Sequence, residues 1–135
     1  MQLKDVMTTD VQLADPTIKL SEAASMMRDG DFGLLPVGAN DRLVGTITDR
    51  DIAVRAVAEG KDPNTTTVGD VMSEGIRYCF EDQEVEEAAK LMAQAQIRRL
   101  PVLNRDKRLV GIVALADIAG KTGPAGEALA GVSKH

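Results

Sequence analysis

The feature that most constrains this chain is an internal repeat. The tripeptide Val-Met-Thr at positions 6–8 returns 65 positions later as Val-Met-Ser at 71–73, and Leu-Pro-Val at 35–37 returns with the same offset at 100–102. An offset that holds over a whole unit is stronger evidence of duplication than any single motif. The chain is therefore predicted to fold as two copies of one supersecondary unit.

Hydrophobic spacing predicts a long helix in each copy. Apolar residues recur at helical intervals from Leu20 to Met27 and again from Val85 to Met92. Ser21 and Asp82 are predicted to be the N-cap residues of these two helices.

Shorter segments complete each copy. Apolar stretches at 34–37 and 43–48 flank a polar turn, which is typical of a β-hairpin, and a helix is predicted to follow from about 49 to 59. A short strand at 11–13 matches one at 76–80, and residues 67–70 have the spacing of a capping box. Each copy is thus predicted to be β-α-β-β-α.

The predicted fold class is α+β, a mixed fold of two pseudo-symmetric units packed sheet to sheet with helices outside. The predicted boundaries are 1–60 for the first unit, 61–66 for a linker, 67–120 for the second unit and 121–135 for a tail with a short helix at 127–132. A unit of about 60 residues buries only ~60% of its surface alone, so the two are expected to share a core.

Composition excludes several classes of protein. Hydrophobic residues make up 44% of the chain, as in globular proteins, and the net charge of -5 argues against a nucleic-acid partner. No apolar run approaches the ~18 residues of a membrane span and no secretory signal is visible, so a cytoplasmic location is expected. One cysteine, Cys79, and one histidine, His135, can build neither a zinc site nor a histidine relay, so we expect neither a metal nor an enzyme.

Candidate binding residues lie where a strand of each copy runs into a helix. Asp51 and Asp117 occupy the same place in the two copies, and one carboxylate can accept both hydroxyls of a vicinal diol. Thr48 lies where a helix start would present free N–H groups to phosphate. The alternative is a capping box, because Thr48 and Asp51 have the spacing [ST]-x-x-[DE]. That alternative is weaker for Asp117, since Ala114 cannot cap.

The two units resemble the cystathionine-β-synthase (CBS) domain. Both contain, in order, Val-Met-[Ser/Thr], an apolar helix, Leu-Pro-Val and a Val-Gly-x-x-[Thr/Ala]-x-x-Asp-Ile run, together covering about residues 3–120. The stretch at 48–52 is similar to small stand-alone bacterial CBS pairs of the hypoxic-response type. The resemblance implies a tandem pair, or Bateman module, with a regulatory, energy-sensing role.

The resemblance also implies two sites for an adenine nucleotide (AMP, ADP, ATP or S-adenosylmethionine) in clefts between the units. The first site would use Thr48, Asp51, Gly33, Leu34, Ser73 and Tyr78. The second site would use Asp117, Arg98, Arg99, Thr8 and Leu13. Neither is complete, because the first has Gly33 where the second has Arg98, and the second has Ala114 and Ala116 where hydroxyls would help hold phosphate. Arg98 and Arg99 would point to opposite faces of a strand, so only Arg98 is expected to face the ligand; solvated charge is the alternative for both.

Two functions remain open at this stage. The chain is either a non-enzymatic ligand sensor or a ligand-free CBS-pair homodimer that docks an unidentified partner protein. A homodimer is expected in both cases, because the helices at 52–57 and 85–92 carry more apolar surface than one layer covers.

Overall fold

The computed structural model describes residues 1–121, and its mixed arrangement of helices and hairpins confirms the predicted fold class. After a 3₁₀ turn at Leu3–Asp5, the elements are α1 (Leu20–Gly30), β1 (Leu34–Ala39), β2 (Arg42–Thr48), α2 (Asp49–Asp51, continued by a π-helical segment at Ile52–Val57), α3 (Val68–Val71), β3 (Cys79–Phe80), α4 (Val85–Ala95), β4 (Arg99–Leu103), β5 (Leu109–Ala114) and α5 (Leu115–Lys121). The helix predicted at 127–132 lies outside the described residues.

The compact units of the structure cover different residues from the sequence repeats. The central unit is Gln12–Ile76, and the terminal unit combines Met1–Val11 with the described residues from Arg77 onward. Each unit therefore contains the Val-Met-[Ser/Thr] tripeptide that belongs by sequence to the other copy. We call residues 6–8 and 71–73 the exchanged segments.

The central unit is built on the β1–β2 hairpin. The two strands are antiparallel, with Leu34 opposite Thr48, and the register shifts after Val37. The strand predicted at 11–13 was wrong, because those residues form no strand and the pairing is a single parallel bridge one residue later, between Ala14 and Val37. Pro16 follows two residues later and has no N–H to donate, which limits any extension of this ladder.

The terminal unit contains a three-stranded sheet in the order β3-β4-β5. β3 is parallel to β4, with Cys79 opposite Val102, and β5 is antiparallel to β4, with Ala114 opposite Arg99. The predicted strand at 76–80 is thus shortened to two residues.

Each unit has its own aliphatic core. The fully buried side chains of the central unit include Leu20, Leu35, Val37, Ile47, Val68 and Val71, and those of the terminal unit include Leu3, Val85, Met92, Leu100, Val113 and Ile118. Val68 and Val71 belong to α3, next to an exchanged segment. Each such side chain contributes about 1.5–3 kcal/mol when fully buried, so this segment is a firmly held part of the central unit.

The N-caps of the two long helices differ from the prediction. Lys19 and Glu84 occupy these positions, and neither side chain caps its helix. Ser21 lies inside α1, and Asp82 lies two residues before the cap of α4, so both predicted caps were wrong.

The physical reason is tertiary. The first N–H of α1 donates to the carbonyl oxygen of Thr66, and the first N–H of α4 donates to that of Met1, both at 3.0 Å. Carbonyl groups from distant parts of the chain thereby satisfy donors that a side-chain cap would otherwise take. The capping box predicted at 67–70 is present, with Thr67 N–H donating to Asp70 at 3.2 Å.

The helix predicted from about 49 to 59 begins as expected but widens after its first turn. Residues Ile52–Val57 are π-helical, and Ala58 N–H donates to the carbonyl oxygen of Ala53 at 3.0 Å, an i→i−5 bond. π-Helical turns are rare and are frequent at functional sites. This one directly follows Asp51.

Candidate functional site

Thr48 and Asp51 form a reciprocal capping box at the start of α2. Thr48 N–H donates to Asp51 Oδ2 at 3.0 Å, and Asp51 N–H donates to Thr48 Oγ1 at 3.0 Å. The structural interpretation of this spacing is therefore confirmed. The cap uses only one of the two carboxylate oxygens of Asp51.

The second oxygen of Asp51 has only long polar contacts among the described residues. Ser73 Oγ lies 3.5 Å from Oδ1, and Arg55 Nε lies 4.0 Å from it. A well-formed hydroxyl–carboxylate hydrogen bond is about 2.5–2.8 Å long, so Oδ1 retains most of its capacity to accept. The side chain is 16% exposed, which leaves it in reach of a ligand while removing it from most bulk water.

Backbone pairing places the exchanged segment beside Asp51. Ser73 and Thr46 exchange hydrogen bonds of 3.0 and 2.8 Å between their backbone N–H and carbonyl groups. The neighbouring Gly45 has no space for a side chain, because a Cβ would stand 2.8 Å from the carbonyl oxygen of Ser73. The glycine of the repeated motif thus permits close approach of two backbones.

Gly33 and Leu34 lie on the other side of the same junction. The carbonyl oxygen of Gly33 accepts Asp49 N–H at 3.0 Å, and Leu34 lies opposite Thr48 in the hairpin. A Cβ on Gly33 would stand 2.8 Å from Asp49 Oδ2. Five of the six residues predicted for the first site therefore belong to the central unit, while Tyr78 belongs to the terminal unit.

The terminal unit repeats this construction. Thr8 and Ile112 exchange backbone hydrogen bonds of 2.8 and 2.9 Å, and Leu115 N–H donates to the carbonyl oxygen of Arg98 at 2.8 Å. Asp117 is half-buried on α5. Its carboxylate has no hydrogen bond or ion pair with any residue of the part described, 1–121, in contrast to Asp51.

The two arginines predicted for the second site have different environments. Arg99 begins β4 and is half-buried, whereas Arg98 precedes the strand in a bend and is exposed. The prediction that both lie within a strand was therefore wrong, because pairing with β5 begins only at Arg99 opposite Ala114. Leu13, the remaining residue of this set, is half-buried in the central unit.

A cluster of aromatic and charged side chains surrounds β3. Tyr78 packs edge-to-face on Phe80 with ring centroids 5.6 Å apart, and the Arg105 guanidinium lies 4.1 Å from the Phe80 centroid. Arg105 also donates to both carboxylate oxygens of Asp82, at 3.0 and 2.8 Å, and these bonds lower the pKa of Asp82. Only the alternation of Tyr78 and Phe80 along a strand signals this cluster in the sequence.

Sequence reasoning also missed Arg55. Its Nη1 donates to the carbonyl oxygens of Val71 and Met72 at 3.3 and 3.2 Å, and its Nε lies 4.0 Å from Asp51. The i, i+4 spacing from Asp51 to Arg55 is the signal that could have identified it.

The sequence that contains these two junctions matches a known family over nearly all of the described residues. The model of the CBS domain matches residues 3–57 and again 68–121. The chain belongs to the CBS-domain family.

Similar proteins include small CBS proteins of bacteria. This CBS pair is 45% identical over 117 residues to the CBS domain-containing protein YhcV of Bacillus subtilis, covering 87% of this chain and 82% of YhcV. It is 42% identical over 117 residues to Hypoxic response protein 1 of Mycobacterium tuberculosis, covering 86% and 81%.

Solved structures have the same fold. A crystal structure of Hypoxic Response Protein I with two coordinated zinc ions has a TM-score of 0.83 and 40% identity, covering 91% of this chain and 100% of that one. The CBS pair of protein MJ0100, in complex with 5′-methylthioadenosine and S-adenosyl-L-methionine, has a TM-score of 0.77 and 30% identity, covering 89% and 94%.

Two further observations concern only residues 1–121 of this CBS pair. Within that range, no three His, Cys, Asp or Glu side chains are grouped so as to hold a metal ion. Nor is any helix formed there sufficiently long and apolar to cross a bilayer.

Proposed function

We propose that this CBS pair is a non-enzymatic, cytoplasmic sensing module that binds an adenine nucleotide or S-adenosylmethionine. The observation that carries the proposal is that only one oxygen of the Asp51 carboxylate accepts a short hydrogen bond from the described residues. Thr48 N–H fixes Oδ2, whereas Oδ1 has no hydrogen bond or ion pair shorter than 3.5 Å with any residue of 1–121. Hydrogen bonds from ribose hydroxyls to an ionised oxygen are among the stronger polar contacts available.

The ligands of a related protein support this choice of chemistry. The two compounds bound by the CBS pair of MJ0100 are both adenosine derivatives with a ribose diol. In this chain Asp51 would accept that diol, with Gly33, Leu34, Ser73 and Tyr78 as further contacts and Thr48 near phosphate.

A second set of residues would favour phosphate more strongly. Arg98 is exposed and Asp117 has an uncommitted carboxylate within the part of the chain described, so guanidinium and carboxylate could serve the two ends of a nucleotide. Arg99, Thr8 and Leu13 complete this set. Absence of hydroxyls at Ala114 and Ala116 predicts weaker binding than in the first set.

Calorimetric titration of the purified chain with AMP, ADP, ATP, S-adenosylmethionine and 5′-methylthioadenosine tests the proposal. We expect saturable binding of at least one compound below millimolar concentration and at least about tenfold weaker binding by Asp51→Ala, the usual effect of losing a hydrogen bond to a charged group. Asp29→Ala, which removes an exposed carboxylate of α1 in the same unit, is the matched control. No binding at millimolar ligand, or equal affinity in Asp51→Ala, would contradict the proposal.

A second variant separates ligand contact from helix capping. Thr48→Ala removes the cap but leaves the Asp51 carboxylate in place. With adenosine, which has no phosphate for Thr48 to contact, this variant should bind nearly as well as the wild type, whereas Asp51→Ala should not. Equal losses in the two variants would show that Asp51 acts only through the start of α2.

One observation favours a ligand-free interaction module as the second candidate. The capping box explains the position of Asp51 without any ligand. This candidate predicts no heat with any of the five compounds and a stable homodimer that recruits a partner protein.

We also propose that the chain forms a homodimer through the π-helical segment. Val54 is 51% exposed and Val57 is 69% exposed in this segment. The helix at 85–92 was also expected to carry exposed apolar surface, but its Val85 and Met92 are buried in the core of the terminal unit. Light scattering should give the mass of a dimer, and Val57→Asp should shift it toward that of a monomer. Val44→Asp, at an exposed valine of β2, is the control. A monomeric wild type would refute this assembly.

A further inference from the structure

Arg55 connects three parts of the central unit. Its Nη1 reaches the carbonyl oxygens of Val71 and Met72, at 3.3 and 3.2 Å, at the end of α3 and the start of an exchanged segment. Its Nε faces Asp51 Oδ1 at 4.0 Å. The side chain is 53% exposed, so its contacts hold surface elements together and add little to the apolar core.

The end of α3 is a place where such donors are needed. The last carbonyl groups of a helix have no partner within it, and a cationic side chain that donates to them also matches their partial negative charge. Arginine suits this position because its planar group presents several donors in a fixed geometry, whereas lysine offers a single point charge.

The π-helical segment contributes to this arrangement. Arg55 lies within Ile52–Val57, directly after the turn that contains Asp51. Its residues follow a wider helical path than the i→i−4 ladder would give, with Lys61 N–H donating to the carbonyl oxygen of Ala56 at 2.9 Å. Asp51 and Arg55 thus lie on one continuous helical stretch, the turn at Asp49–Asp51 and the π-helical segment that follows it.

We propose that Arg55 is a positioning residue for nucleoside recognition, an inference that rests on the proposed function. It fixes the exchanged segment at 71–73 against α2 and orients Asp51 Oδ1 beside Ser73 Oγ, 3.5 Å away. Arg55 and Ser73 therefore hold the position of Oδ1, the oxygen that would accept the ribose diol, while the capping box holds Oδ2 of the same carboxylate.

Discrimination between ribose and 2′-deoxyribose is the readout that a merely structural role would not change. Adenosine and 2′-deoxyadenosine are titrated calorimetrically into the wild type, Arg55→Met and Arg55→Lys. In Arg55→Met, we expect the ratio of the affinity for adenosine to that for 2′-deoxyadenosine to be about tenfold lower than in the wild type. A loss of this size follows when a hydrogen bond to a charged group is misaligned. Arg55→Lys should restore part of the preference for adenosine. Arg42→Met, at an exposed arginine of β2, should keep the wild-type ratio.

Amide hydrogen exchange gives a second measurement that needs no ligand. Ser73 N–H donates to the carbonyl oxygen of Thr46 at 2.8 Å, so its exchange reports how firmly the exchanged segment is held. We expect faster exchange at Ser73 in Arg55→Met, with circular dichroism confirming the same helical content.

The outcomes distinguish the two proposals. Wild-type binding together with an unchanged preference in Arg55→Met would overturn the role of Arg55 and leave the proposed function standing. Absence of any binding by the wild type would overturn the recognition role together with the proposed function. Unchanged Ser73 exchange in Arg55→Met would overturn the clamping of the exchanged segment in either case.

Discussion

Gly111 lies against the carbonyl oxygen of Thr8, which would stand 2.8 Å from a Cβ at position 111. Gly45 has the same relationship to Ser73, and in both units a methionine sulfur (Met7 or Met72) lies within 2.9 Å of the Cβ position. The glycine of each copy therefore marks the point where an exchanged segment pairs with a strand.

Substitution of these glycines should be costly. Gly45→Ala and Gly111→Ala each force a methyl group against backbone, and overpacking of this kind costs about 1–3 kcal/mol. Urea unfolding should show the loss as a lower midpoint. Gly75→Ala is the control, because no described residue other than its two chain neighbours has an atom within 4 Å of its Cβ position. A Gly45→Ala protein as stable as Gly75→Ala would contradict the close approach.

Gly33→Ala should be much milder, although the distance is equally short. The Cβ would stand 2.8 Å from Asp49 Oδ2, which is the end of an exposed and flexible side chain. Rotation of Asp49 relieves the contact, so we expect a change in unfolding free energy within about 0.5 kcal/mol, as for ordinary surface substitutions. A loss as large as that of Gly45→Ala would show that Asp49 is rigidly held.

The ion pair between Asp82 and Arg105 predicts a dependence of stability on pH. Arg105 lowers the pKa of Asp82 in the folded protein, so the contribution of the pair is present above the unfolded pKa of about 3.9 and is lost as pH falls through the lower folded value. We expect the Tm of Asp82→Asn to fall less than that of the wild type between pH 6 and pH 3. The effect should be small because both side chains are solvent-exposed.

An exposed aspartate provides the comparison for this measurement. Asp10 has no ion pair with any other residue in the described range. The fall in Tm between pH 6 and pH 3 should therefore be as large in Asp10→Asn as in the wild type, whereas it should be smaller in Asp82→Asn. Parallel Tm profiles for the wild type and Asp82→Asn would mean that the ion pair does not contribute in solution.

Cys79 should be protected from alkylation in the native protein. The residue is 3% exposed, and burial raises the pKa of its thiol, so little of the reactive thiolate forms at neutral pH. Mass spectrometry after iodoacetamide treatment at pH 8 should show slow labelling in buffer and rapid labelling in 8 M urea. Because Cys79 is the single cysteine, one mass increment reports the site. Equal rates in the two solvents would contradict burial.

The same shift predicts a loss of stability in alkali. A thiol whose pKa is raised by folding holds its proton more tightly in the folded state, so stability falls as pH rises above the unfolded pKa of about 8.5. Cys79→Ala should lessen the fall of the urea midpoint between pH 8 and pH 10.

The sequence predicted the features that depend on local spacing. The apolar faces of α1 and α4, the two hairpins and the capping box of Thr48 and Asp51 all follow from patterns within a short stretch of sequence. The helix faces and the hairpins are repeated in both copies, so each copy supports the other, whereas this capping box occurs only in the central unit. Site residues defined by the same repeated junction, such as Gly33 and Leu34, consequently lie beside Thr48.

Features that depend on distant segments could not be predicted in this way. The first N–H of α4 donates to the carbonyl oxygen of Met1, 84 positions away in the sequence. Arg105 donates to Asp82, which lies 23 positions before it. The π-helical widening after Asp51 likewise has no local signature that distinguishes it from an ordinary helix. Arg55 could have been noticed from its spacing, yet its carbonyl partners in the exchanged segment could not.

The exchange of segments has a consequence for how this protein can be divided. The chain leaves the terminal unit after Val11 and returns to it at Arg77, so a cut in the predicted linker at 61–66 separates Gly45 from the backbone of Ser73 that covers it. Each of the two fragments would then lack some of the residues that form its hydrophobic core. Expression of one sequence copy alone would therefore leave out residues that its unit needs: Leu3 and Val6 for the terminal core, or Val68 and Val71 for the central one.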